Sequence, residues 1–186
     1  MNRWYPRCVR GRRAVAVVVA LVALAAAGCS GGSATPSTTR PPQPAGAKPS
    51  PISVEVCSHE ASSEIDSALG EKANVSRPTW VDHLYQCHYG YPSGSMLLSV
   101  KELSSWAETK AYFDGLAASL GKSRELKGLG QGAFQTTDGS VVVRKDWKVL
   151  LVDSTGLPPQ FGVPPTSSGD VAVTVGDVIL GCWAGD

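Results

Sequence analysis

The chain has 186 residues, 17 basic and 16 acidic, with a net charge of +1 and a hydrophobic fraction of 42%. Arg3, Arg7, Arg10, Arg12 and Arg13 all precede residue 14, so the remainder carries 12 basic against 16 acidic side chains, near −4. A mildly acidic body has no basic patch to recruit phosphate, which argues against a nucleic-acid partner and against lying flat on anionic lipid.

The basic N-terminus is followed by an apolar run from Ala14 to Ala27. Its length suits the core of a signal peptide and falls short of the roughly 20 residues needed to cross a bilayer as a helix. The run ends Leu24-Ala25-Ala26-Ala27-Gly28-Cys29, small residues before a cysteine that resemble the bacterial lipobox. The expectation is a lipoprotein signal peptide over 1–28, cleavage before Cys29, and lipidation of Cys29 with palmitate-type acyl chains. That would place the protein outside the cytoplasm, anchored to the outer face of the cell membrane. Two or three acyl chains, at about 0.8 kcal/mol per buried methylene, hold far better than the single chain that gives reversible binding. The plainer alternative is an ordinary secretory signal with Cys29 incidental. Arg12-Arg13 resembles the twin-arginine export signal, but the residues after it fit poorly and the general secretory route is the default.

From Cys29 to Pro51 the composition is almost wholly Ser, Gly, Thr, Ala, Pro and Gln, with Arg40 and Lys48 the only charges. Such a segment buries too little to offset the entropy of ordering. It is expected as a disordered linker over 29–51, holding a domain roughly 30–70 Å from the membrane. Residues 52–186 are long enough for one extracytoplasmic domain with a single core.

Within that domain Ser58 caps a first helix whose apolar positions are Ala61, Ile65, Ala68 and Leu69, with Gly70 as the stop. Strand-like runs over 83–91 and 95–103 flank Pro92-Ser93-Gly94. Tyr85, Cys87 and Tyr89 share one face of the first; Met96, Leu98 and Val100 share one face of the second. Ser104 or Ser105 caps a longer helix with Trp106, Phe113, Leu116 and Leu120 at helical spacing, ending at Gly121. Three further strands are predicted at 133–136, 141–145 and 148–152, around Asp138-Gly139 and Asp146-Trp147. A Pro-rich loop over 157–165 leads to a last segment with two readings. Val171, Val175, Val178, Ile179 and Cys182 form a helical stripe capped by Asp170, whereas the alternation of 171–175 before Gly176-Asp177 suits a hairpin. The helix is preferred. The fold class expected is α+β, an antiparallel sheet of about five strands with helices packed on it, in the order α-β-β-α-β-β-β-α.

The domain holds Cys57, Cys87 and Cys182, and an oxidising compartment favours a disulfide. Cys57–Cys87 is the preferred pair, and pairing of Cys182 with either is the alternative. A cysteine opening a short helix that ends Ala-Leu-Gly (Cys57 to Gly70), then Cys87-His88-Tyr89, Gly128-Leu129-Gly130 and Val143-Arg144-Lys145, resembles the small actinobacterial, mycobacterial-type lipoproteins. Those carry a domain of unknown function behind a lipobox and a Pro/Ser/Thr linker. The resemblance implies this fold and location and brings no catalytic residue. Cys182 departs from the two-cysteine version of the pattern.

No constellation for catalysis, cofactor binding or metal binding can be assigned. His83 and His88 are five apart on a predicted strand, hence on opposite faces, and His59 lies elsewhere. Ser119-Leu120-Gly121-Lys122 matches Ser-x-x-Lys, but at a helix end, where the serine would not sit against the lysine. Gly128, Gly130 and Gly132 lack the spacing of a phosphate loop. Glu60, Glu64 and Asp66 read as the wet face of one helix. The least ordinary feature is aromatic: Trp80, Tyr85, Tyr89 and Tyr91 gather about one strand, where core packing explains most of them and a possible binding surface the rest. The functional expectation is a membrane-anchored envelope lipoprotein, not an enzyme, whose domain binds an envelope protein, lipid or glycan. A lipid or glycolipid carrier with an internal cavity is one alternative and an envelope hydrolase another.

Overall fold

A computed structural model describes residues 41–183; the expected signal peptide, Cys29 and the first part of the linker lie outside the described residues. Among the described residues four helices form, α1 (Pro51–Glu55), α2 (His59–Leu69), α3 (Trp106–Ser119) and α4 (Ser168–Cys182). The strands are β1 (Asn74–Val75), β2 (Thr79–Val81), β3 (Leu84–Tyr91), β4 (Gly94–Glu102), β5 (Lys122–Leu126), β6 (Gly132–Thr136), β7 (Val141–Lys145), β8 (Lys148–Asp153), β9 (Gln160–Phe161) and β10 (Thr166–Ser167).

Local chemistry sets the helix ends. The Ser58 side chain accepts from Ala61 N, satisfying one of the unpaired amides that open α2. Gly70 closes α2 at φ 67°, and a Cβ there would lie 2.8 Å from Val163 O, so the stop needs glycine twice over. Ser105 caps α3 through Glu108 N. The cap of α4 is Ser167 and not Asp170, a correction. The Ser167 hydroxyl accepts from Asp170 N and donates to the Asp170 carboxylate, so the helix starts one turn earlier than expected. Within α4, Val171, Val175 and Ile179 are buried, which settles the last segment as helix.

The main sheet is antiparallel, eight-stranded, in the order β1-β3-β4-β8-β7-β6-β5, with β2 pairing β3 beside β1; β9 and β10 form a separate pair. The five expected strands are its centre. The three additional ones are its borders, and their composition explains why they escape a hydrophobic-pattern reading. β5 is Lys-Ser-Arg-Glu-Leu with four exposed residues, and β1 and β2 are fragments separated by Arg77-Pro78. α1 was not expected as a helix: its first residue, Pro51, was the last of the expected linker, and 52–55 the start of the domain.

Alternation divides the sheet into two faces. Tyr85, Cys87, Tyr89, Met96, Leu98, Val100, Leu150, Val152, Val141 and Val143 point to one, under α2 and α4, and join Ile65, Leu69, Val175, Ile179 and Trp183 in the main core. On the other face α3 packs on β7 and β8, enclosing Phe134, Val142 and Val149 beneath Phe113, Leu116 and Leu120.

Candidate binding surface

Core packing accounts for most of the aromatic cluster, as expected, and Tyr85, Tyr89 and Tyr91 drop out of the possible binding surface, a second correction. Tyr85, Tyr89 and Tyr91 are buried, because their strand positions all point beneath α2. Tyr89 donates to Val56 O at 2.7 Å, and burial, with Tyr91, Asp66 and Glu55 nearby, holds its hydroxyl protonated far above the usual tyrosine range. Burial raises Tyr91 as well, reinforced by Asp66 and Glu71. Trp80 alone keeps an accessible edge, half-buried opposite Tyr85.

Cys57 and Cys87 form the disulfide, with Cα atoms 6.0 Å apart, joining the start of α2 to the middle of β3. Cys182 lies at the end of α4 and bonds to neither, so both alternative pairings fall away. Beside Cys57 an open depression of about 460 Å³ is lined by Ser58, His59, Ser62, Asn74, Ser76 and Arg77. A second, about 490 Å³, lies across Asn74 between Lys72, Gly90 and Tyr91. His59 thus stands apart from the other two histidines. His88 is exposed on β3, and His83 sits in the β2–β3 turn. Ser119 ends α3 with its hydroxyl donating to Leu116 O, while Lys122 opens β5.

Two surfaces stand out. The first is the half of the outer sheet face that α3 does not reach. Register places Val81 and Leu84 at one end of it, opposite Lys101, and Leu97 at the other, opposite His88, with Gln86 and Ser99 between. Val81 is 64% exposed, Leu84 and Leu97 are partly exposed, and none of the three joins either core cluster. The second surface lies at the end of the sheet. Residues 45–50, expected as linker, cross it. Ala45 N donates to Leu103 O at 3.1 Å, Trp80 Nε1 to Ala47 O at 3.1 Å, and Ser50 N to the buried Glu102 carboxylate at 2.7 Å. His83 Nδ1 lies 3.1 Å from Gly46 O, and since a carbonyl only accepts, Nδ1 carries the proton. Ordered structure therefore reaches back past the boundary expected at residue 52.

This second surface was not read from the sequence beyond Trp80. A signal for it exists in Asp82-His83, two residues between strand positions Val81 and Leu84, with Asp as a residue that tolerates a left-handed turn. No protein family, no curated protein and no solved structure matches the chain.

Proposed function

We propose that this is an exported lipoprotein, anchored through Cys29 to the outer face of the cell membrane, whose domain binds a partner in the cell envelope. The address is supported by the basic segment, the apolar run and the Leu24–Cys29 junction. It is supported independently by the Cys57–Cys87 disulfide, a bond that persists in an oxidising compartment. The observation that carries the binding half is the uneven cover of the sheet. Val81 and Leu84 lie at one end of this half-face beside Lys101, and Leu97 at the other beside His88, with Gln86 and Ser99 between, on a rigid antiparallel platform. Exposed apolar surface with polar groups interleaved is what a recognition face requires.

Two measurements test the two halves. Metabolic labelling with an alkyne palmitate should mark the wild-type chain and leave Cys29→Ser unlabelled and released from the membrane fraction; label retained by Cys29→Ser would end the anchor reading. A photo-reactive residue placed at 97 should cross-link to an envelope component in intact cells, and the same residue at 60, on the acidic face of α2, should not. Equal or absent adducts at both positions would end the binding reading.

A further inference from the structure

Residues 41–49 read Pro-Pro-Gln-Pro-Ala-Gly-Ala-Lys-Pro and belong to no helix or strand, yet their central residues are held by the domain through main-chain groups. One amide and two successive carbonyls are engaged, those of Ala45, Gly46 and Ala47. The donors to the carbonyls are the indole of Trp80 and the imidazole of His83, whose rings meet edge-on with centroids 5.6 Å apart. An aromatic ledge that offers ring N–H groups to the backbone of a Pro-rich segment uses the chemistry of Pro-rich peptide recognition, in which the stiff peptide loses little entropy on docking. Ala, Gly and Ala present small side chains, so the backbone can lie close to the rings.

The turn that carries His83 points the same way. Asp82 has φ 50° and His83 φ 58°, and Val81 pairs with Leu84 across them, so both residues of this tight turn are left-handed. Glycine is the favoured residue at the second position, because an L side chain there is strained. Asp146 and Trp147 make the same left-handed pair between β7 and β8, and what sets His83 apart is that its imidazole holds Gly46 O.

We propose that the Trp80–His83 ledge is a receptor for an extended Pro-, Ala- and Gly-rich peptide, with the chain's own residues 45–47 as its resident occupant. The inference deepens the binding reading and rests on it. A partner presenting such a peptide competes with the strap, and its docking frees residues 45–47 while Ser50 stays on Glu102, lengthening the free tether by about 10 Å at 3.3–3.6 Å per residue.

The test uses nuclear magnetic resonance of the full chain in detergent, following the Trp80 indole N–H. His83→Gly should leave the melting temperature unchanged or raise it, because the turn loses its strain. It should also speed exchange of the Ala45 amide and the Trp80 indole roughly 2- to 10-fold, the loss of one hydrogen bond. Ala45→Pro removes the amide donor and leaves the ledge intact. In that variant a synthetic peptide of residues 41–50 should saturably return the Trp80 and His83 signals towards their wild-type positions. The same peptide with valine at 45, 46 and 47 should not. Unchanged exchange in His83→Gly, no response to the first peptide at millimolar concentration, or equal response to both would each overturn the proposal. Cross-linking at position 97 would then still stand, so failure here is separable from failure of the broader binding reading.

Discussion

The two faces of the sheet are built to different depths. Beneath α2 and α4 the core is continuous from Tyr91 and Phe161, whose rings meet edge-on with centroids 4.7 Å apart, through Leu98 and Leu150 to Ile179 and Trp183. Beneath α3 only Phe134, Val142 and Val149 are fully enclosed, and α3 itself buries only Thr109. Trp106, expected as part of the apolar stripe, is 48% exposed and lies instead over the Arg144 guanidinium, 4.0 Å from its ring centroid. Burial lowers the Arg144 pKa, and nearby Asp114 opposes that shift. A deep face specifies the fold, and a shallow one leaves surface for contacts. The uncovered positions Val81, Leu84 and Leu97 belong to the shallow face.

Substitutions on the two faces should therefore differ in kind as well as size. Leu98 is fully buried at the centre of β4, opposite Cys87 and Val152. Leu98→Ala should cost about 4 kcal/mol through lost transfer energy and the cavity left behind. The midpoint of denaturant unfolding should fall with the slope unchanged, all amides losing protection together. Removing the disulfide acts on the same face. Its partners are 30 residues apart, so Cys57→Ala with Cys87→Ala should cost roughly 3–4 kcal/mol by loop-closure entropy. A loss below about 1 kcal/mol would mean the deep face holds α2 without it.

On the shallow face the effects should be smaller and local. Phe113 packs edge-on against Phe134, with centroids 5.0 Å apart, and is only half-buried. Phe113→Ala should cost about 2–3 kcal/mol, less than the roughly 3–5 kcal/mol of a fully buried aromatic truncation, because the ring is only half-buried. It should release the α3 amides to exchange before those of β3 and β4. Trp106→Ala removes an exposed cation–π stack and should cost about 0.5–1 kcal/mol. Uniform loss of protection across both faces would dissolve the distinction.

The same contrast explains what could be read in advance. Deep-face elements carry their pattern in the chain. Ser58, Ile65, Leu69 and Gly70 mark α2, and the alternation of Tyr85, Cys87 and Tyr89 marks β3. That alternation also shows why the tyrosines were poor candidates for a surface, since a strand residue sharing a face with Cys87 shares its burial. β5 and β2 are sheet borders whose pairing is main-chain chemistry with little side-chain signature. The strap over Trp80 and His83 was illegible for the same reason. Three of its contacts come from the backbone of Ala45, Gly46 and Ala47, and a composition of Pro, Ala and Gly says only that the segment has no core of its own.

The smallest expected effect concerns the turn that joins β6 to β7, on neither core. Burial raises the Asp138 carboxyl, but hydrogen bonds from the Thr136 side chain and from Ser140 outweigh it, and the net pKa is lowered. A group whose folded pKa lies below its unfolded value adds stability above the unfolded value. That stability is lost as pH falls through the folded one. The window therefore opens at the ordinary carboxylate value and extends below it, with stability at pH 7 unaffected by small changes. Asp138 is exposed, so solvent screening keeps the contribution small. Asp138→Asn should flatten the acid side of the stability profile slightly while leaving the α3 amides as protected as before. If acid instead releases α3 first in both proteins, the shallow face is the acid-sensitive one, and the carboxylates near it, Asp114 and Glu108, become the groups to substitute next.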